Sequence, residues 1–254
     1  MSTLAAVKPV PYADSITARD VRVRLAACYR LIAHYGMDDL VFTHIYARVP
    51  EASGQFLINT YGLRFDEITA SSLVKIYYDG NIVEPSPHPV NHAGFVIHSA
   101  IHAARPDVNC VLHTHTRAGV AVSCLKEGLL SLNQFSAPYY KRVAYHDYEG
   151  VATNLDERQR LVRDLGEKQV MVLRNHGLLT AGRTVPEAFE LMYYLEQSCR
   201  VQMDVMASGG GVNALSDEVS EHTAQQCEGF GPRGERAWPA LLRLLDAKDP
   251  SYRQ

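Results

Sequence analysis

Two short apolar runs that each end in histidine constrain this chain more than any other feature. Val-Asn-Cys-Val-Leu-His-Thr-His occupies 108–115 and Val-Met-Val-Leu-Arg-Asn-His-Gly occupies 170–177. A continuous apolar run of this length reads as a strand covered on both faces. Helical spacing surrounds the two runs. Thr17 and Asp20 resemble a capping box, Val21, Leu25, Cys28, Ile32 and Tyr35 follow at helical intervals, and Gly36 can end that helix. Phe95, His98, Ile101 and His102 predict a helix that stops near Arg105-Pro106, and Arg117–Leu125 reads as a helix entered straight from the first run. Asn154 with Glu157 predicts a cap for a helix ending at Gly166. Thr184-Val185-Pro186-Glu187 opens another, whose stripe is Ala188, Met192, Leu195, Cys199, Met203 and Met206 and whose end is Gly209-Gly210-Gly211. Further strands are expected in 40–49 and 55–61, on both sides of the Asp79-Gly80-Asn81 turn, and in 143–150. Strands that alternate with helices predict an α/β fold around one continuous core.

Composition narrows the function. The chain has 254 residues, 46% apolar and 21% charged, with 25 Lys and Arg against 28 Asp and Glu. A net charge of −3 offers no basic footprint for nucleic acid. No apolar run approaches the length of a membrane span, and the first residues lack a signal-peptide stretch. Five cysteines without a Cys-x-x-Cys pair suit a reducing compartment. The expectation is a cytoplasmic protein in three parts: a mobile arm at 1–16, a main domain at 17–211, and an extension at 212–254 that packs on the domain or on a neighbouring subunit.

Eleven histidines stand out. Strand side chains alternate faces, so His113 and His115 point the same way. His176 follows the second apolar run and precedes a glycine. Three imidazoles suit Zn, Fe, Mn or Ni and leave coordination positions open for water or substrate. The same residues could instead be a packed pair and a turn histidine, and spacing alone leaves both readings open.

The wording of several blocks resembles the class II aldolase/adducin family. Ile-Asn-Thr-Tyr-Gly-Leu-Arg-Phe-Asp-Glu-Ile-Thr-Ala-Ser-Ser-Leu-Val-Lys-Ile, Asn-His-Ala-Gly-Phe-Val-Ile-His-Ser-Ala-Ile-His-Ala-Ala-Arg-Pro-Asp, Val-Ala-Tyr-His-Asp-Tyr-Glu-Gly and Leu-Arg-Asn-His-Gly-Leu-Leu-Thr-Ala-Gly all look adducin-like, in the same order. The likeness spans roughly Ala18 to Gly211. It implies a three-layer αβα fold with a mixed central β-sheet. It also implies a homotetramer acting on a small molecule, and a divalent metal ion (Zn, or Fe or Mn) held by His113, His115 and His176.

Two departures from the family's sugar-phosphate aldolases bear on chemistry. Their proton-transfer glutamate falls on Gly94 here, with the preceding serines near His92 and Ala93. Their Gly-Asn-x-Ser phosphate cradle is replaced by Thr43-His44-Ile45-Tyr46. His92 is the candidate replacement acid/base, although an exposed loop histidine would look the same. His44 could face the metal pocket or pack on the sheet. Tyr61 is a candidate to bind an anionic substrate, and Tyr145, His146 and Tyr148 could line the pocket. His98 and His102 are expected to pack, as is the stripe on the last long helix. The resemblance leaves three functions open. The first is a metal-dependent carbon–carbon lyase, an aldolase or decarboxylase, acting on an unphosphorylated hydroxy or oxo acid, aromatic acids included. The second is a non-haem Fe(II) oxygenase acting on an aromatic 2-oxo or 2-hydroxy acid. The third is a non-catalytic assembly domain like the adducin heads.

Overall fold

A computed structural model of the chain describes residues 16–50, 52, 54–77, 80–87, 89–90, 100–150 and 157–254. The predicted cap at Asn154 lies outside them. In chain order the elements are α1 (Ala18–His34), β1 (His44–Arg48), β2 (Gln55–Ile58), β3 (Val74–Tyr77), β4 (Cys110–Thr114), α2 (Arg117–Ser123), β5 (Val143–His146), α3 (Glu157–Leu165), β6 (Val170–Leu173), β7 (Gly177–Gly182), α4 (Val185–Ala207), α5 (Asp217–Glu228) and α6 (Trp238–Lys248). The seven strands form one sheet in the order β3-β2-β1-β4-β7-β6-β5. Only β5 and β6 pair in parallel; the other pairs are antiparallel. The sheet is therefore mixed, as the resemblance implied.

Alternation along the central strands builds two apolar layers. Cys110, Leu112, Val170, Val172 and Leu178 join a core with α1 and α4 residues such as Leu25, Leu31, Met192 and Leu195. Val111, Met171, Leu173, Leu179 and Ala181 join Leu161 and Leu165 of α3 and Ile101 on the other face. Burying each large aliphatic side chain contributes about 1.5–3 kcal/mol, so both helical layers are bonded to the sheet by side chains the period-two pattern supplies. The Thr17–Asp20 capping box starts α1, and Gly36, at φ 63°, follows its end. The α4 stripe is buried through Ala188, Met192, Leu195 and Cys199, then leaves the core, so that Met206 is 43% exposed.

Two regions differ from expectation. Beyond β3 the turn at Gly80 carries only an isolated bridge, Ile76 to Ile82, in place of a second strand. Pro85 and Pro87 follow within a few residues, and proline lacks the N–H that a ladder needs. The tail, polar in sequence apart from a short apolar segment around Trp238–Leu245, is helical: Ser216 caps α5, and Trp238, Leu245 and Tyr252 enter the α1–α4 core. The chain end is tied down by Ala70 N–H donating to the Tyr252 carbonyl (2.9 Å) and Ser71 N–H to that of Gln254 (2.7 Å). No described helix is long and apolar enough to cross a membrane.

Candidate metal centre

β4 is a central strand, paired with β1 through His44↔His113 and with β7 through His113↔Leu179. His113 is buried near its end, and His115 lies one pleat further on. The β6–β7 hairpin closes at the Leu173↔Gly177 pair and delivers His176 from its turn, where Asn175 takes a left-handed φ of 56°. Asparagine tolerates that conformation better than most residues. Gly177 explains how the hairpin reaches β4. A Cβ there would stand 2.3 Å from the Thr114 carbonyl oxygen, 3.3 Å from His115 Cδ2 and 3.4 Å from His113 Cε1.

These constraints bring three ring nitrogens together. His113 Nε2 and His115 Nε2 are 2.9 Å apart, His115 Nε2 and His176 Nε2 are 2.9 Å apart, and the ligand atoms of all three residues lie within 4.8 Å of one another. Hydrogen-bond partners set two tautomers. His113 Nδ1–H donates to the Leu178 carbonyl (2.9 Å), and His115 Nδ1–H donates to Asp39 Oδ2 (3.0 Å). When each ring carries a single proton, that proton sits on Nδ1 and the two Nε2 lone pairs face each other. Two lone pairs at 2.9 Å repel unless a cation lies between them. Two nitrogens that share one divalent ion, each about 2.1 Å from it, would stand about 3.0–3.4 Å from each other, close to the spacing here, so the donor set fits a divalent metal. Burial first, and then the neighbouring imidazoles, holds His113 well below the usual histidine pKa. Burial and His115 lower His176 to about 4. Both rings are neutral at pH 7, the state a metal ligand requires.

α2 splints the centre. Its N-cap Thr116, the residue after His115, accepts from Gly119 N–H (3.2 Å) and donates a short hydrogen bond to the buried Glu196 of α4. Arg200 Nε braces Glu196 at 2.6 Å. At the other end of α2, the Asn175 N–H donates to the Ser123 carbonyl (3.2 Å) and Arg174 to the Leu125 carbonyl (2.6 Å). The last helical carbonyls lack intrahelical donors. Here the hairpin that carries His176 supplies a donor for Ser123, the last helical residue, and for Leu125 just beyond it.

The other candidates are distributed unevenly. His44 is buried across from His113, with ring centroids 5.7 Å apart, and burial lowers its pKa to about 4. Tyr148, half exposed, has its ring 6.2 Å from that of His176. Tyr61 is exposed; continuing the β1–β2 register sets Thr60 across from His44, which puts Tyr61 at the same end of the sheet. Tyr145 is not brought to the imidazoles. It packs in the α1–α4 core layer, its hydroxyl accepts from Leu129 N–H (3.1 Å), and the Arg174 guanidinium lies 4.2 Å from its ring. The two-residue period is the reason, since Tyr145 shares a face with Val143 while His113 shares one with Val111. His146 is taken by α3 instead, with Nδ1 2.8 Å from Asp164 Oδ2. His102 packs as expected, stacked on Phe56 at 4.5 Å, with Nδ1 3.2 Å from the Val108 carbonyl. His92, Gly94 and His98 lie outside the described residues. Sequence reasoning missed Asp39, Arg174 and Glu196. Only Glu196 left a signal, as a carboxylate between Leu195 and Cys199 of the apolar stripe.

This fold and site define a class: a mixed-sheet α/β domain with a three-histidine cluster at one end of its central strands. Residues 23–203 match the family described as Class II Aldolase and Adducin N-terminal domain, and the chain belongs to that family. The crystal structure of an aldolase II superfamily protein from Pseudomonas syringae is 50% identical, with a TM-score of 0.89 over 95% of this chain and 98% of that one. The L-fuculose 1-phosphate aldolase of Glaciozyma antarctica PI12 is 30% identical, with a TM-score of 0.83 over 97% of each chain. Alpha-adducin of Rattus norvegicus is 41% identical over 89% of this chain, which spans 33% of that protein.

Proposed function

We propose that the protein is a divalent-metal-dependent carbon–carbon lyase, an aldolase or decarboxylase, acting on an unphosphorylated hydroxy or oxo acid. The observation that carries this reading is the convergence of three imidazoles, two with their Nδ1 atoms fixed. His113, His115 and His176 hold the ion, with Zn, Fe or Mn compatible with an all-imidazole set. A bound ion supplies Lewis-acid stabilisation of the enolate or phenolate left when the carbon–carbon bond breaks. The chain does the rest. His44 forms an uncharged wall beside His113, and the phenols of Tyr61 and Tyr148 orient the substrate carboxylate. A phenol or His92 moves the proton. We further place the protein in the cytoplasm as a homotetramer, with 17–211 as the catalytic unit.

Two features support an unphosphorylated substrate. His44 is kept neutral by burial, so it brings no positive charge to a phosphate dianion. The next backbone donor, Ile45 N–H, is taken by the Tyr29 hydroxyl (2.8 Å). The lyase class is supported by the 30% identity to an aldolase. The identity to alpha-adducin favours a second reading, an assembly domain whose histidines hold no ion.

Metal analysis of protein purified without chelator separates the two. The lyase reading expects one divalent ion per chain, lost in His113→Ala and His176→Ala. It also expects CO₂ or aldehyde release from hydroxy or oxo acids without O₂ demand, abolished by chelation. Absence of stoichiometric metal, or its retention in either variant, overturns the assignment.

A further inference from the structure

The three histidines of the centre are held in unequal ways. His113 Nδ1 is bonded to a neutral carbonyl, that of Leu178. No described residue takes the Nδ1 of His176. His115 alone is bonded to a carboxylate, Asp39 Oδ2, at 3.0 Å. We propose that Asp39 is a positioning residue that holds His115 in its ligating tautomer and strengthens it as a donor, making His115 the dominant ligand of the centre. This rests on the metal reading above and deepens it.

A carboxylate accepting from the far nitrogen of an imidazole forms a charge-assisted bond and raises the basicity of the near nitrogen. It also sets one negative charge beside an all-imidazole ligand set, which favours a dication over a water at the same point. The backbone around Asp39 is built to present it. Phe42 N–H donates to the Asp39 carbonyl (2.8 Å), and the two residues form an isolated bridge. Inside and just after this turn Leu40 and Thr43 hold φ of 52° and 63°, a left-handed conformation that a side chain with a Cβ adopts only at a cost. Leu40 is 69% exposed, so its own packing does not impose the strain.

The turn and His115 hang from the same support. Arg200 reaches toward the carbonyls of Tyr35 (3.4 Å) and Gly36 (3.5 Å), which lead into the turn. The same guanidinium braces Glu196, and Glu196 holds Thr116, the residue after His115. One pair on α4 thus contacts both the segment that precedes Asp39 and the residue that follows His115. A surface ion pair of no consequence would need neither the strained turn nor the shared brace.

The test is zinc affinity of the full chain, by chelator competition, for the wild type, Asp39→Asn and Asp39→Ala. Asparagine keeps the shape and an acceptor oxygen but loses the charge; alanine loses all three. The expected result is a 10–100-fold weaker zinc affinity for Asp39→Ala, with Asp39→Asn between it and the wild type. The Co(II)-loaded protein should show a shifted d–d spectrum in Asp39→Asn, while the urea midpoint of the metal-free protein stays unchanged, which a merely structural role would not produce. Zinc affinity within twofold of wild type in both variants overturns the inference and leaves the metal reading standing. Should Asp39→Ala not fold, Asp39→Asn decides alone: wild-type affinity and an unshifted spectrum overturn the inference. A wild type that binds no zinc and no cobalt overturns the metal reading and this inference with it.

Discussion

Gly177→Ala tests whether the hairpin and β4 are as close as the centre requires. The new Cβ would lie 2.3 Å from the Thr114 carbonyl oxygen, where ordinary contact begins at 3.4 Å. One of the two must retreat by about 1 Å, the difference between these values. Thr114 cannot do so freely, because it is backbone in a central strand and pairs with Leu178. Overpacking of this kind costs about 1–3 kcal/mol, and each ladder hydrogen bond broken in the retreat adds about 1 kcal/mol. The expected loss of stability is about 2–5 kcal/mol, read as a lower urea midpoint. The same retreat moves His176 relative to His113 and His115. A metal site tolerates only about 0.2 Å of error in its bond lengths, so zinc affinity should fall at least tenfold. Gly211→Ala is the control, since its Cβ meets nothing within 4 Å and the change should stay within about 0.5 kcal/mol. A Gly177→Ala protein with wild-type midpoint and wild-type zinc affinity would refute the close approach and the account of why glycine follows His176.

Three further outcomes are expected. Glu196→Ala removes a carboxylate that is 1% exposed and serves both Thr116 and Arg200; with Arg200 itself partly solvated, the cost is about 2–3 kcal/mol, and a urea midpoint within 0.5 kcal/mol of wild type (a ~0.5 kcal/mol margin) would count against the splint. His102 has a folded pKa lowered to about 3 by burial, while the unfolded chain takes up the proton near 6.5 (about 6.5). The unfolded state then binds more protons below pH ~6.5, so stability falls with pH down to the folded value, by about 1.4 kcal/mol per pH unit from this group. His102→Phe keeps a ring against Phe56 and should flatten that acid slope; an unchanged slope in acid titration of the metal-free protein would contradict it. Leu40→Gly relieves a left-handed leucine whose side chain is exposed and should stabilise by up to about 1 kcal/mol after the entropy cost of glycine. A measured loss in thermal unfolding would show that the leucine side chain holds the turn.

Local chemistry made the fold readable, and long-range chemistry hid part of the site. Thr17 and Asp20 act within one helical turn, so the start of α1 is written in four residues. His113 and His115 share a face because strands alternate, a rule that needs no partner strand. The same rule separates Tyr145 from His113, but it becomes usable only when the sheet order and register are known. Asp39 and His115 are 76 residues apart, joined by a strained turn that no periodicity announces. α5 was illegible for another reason: it buries only Ser220 and Ala224, too little apolar surface to print a helical stripe.

The ligand spread has a consequence for the life of the molecule. His115 and His176 stand 61 residues apart and meet only when β4 and β7 have paired. An unfolded chain offers no such grip, so a captured ion rewards the finished structure alone. At a free concentration one hundred times the dissociation constant, that selection amounts to about 2.7 kcal/mol. Under the proposed metal reading, ion supply would therefore become a clock on turnover: the same polypeptide would persist in a replete medium and open sooner in a depleted one.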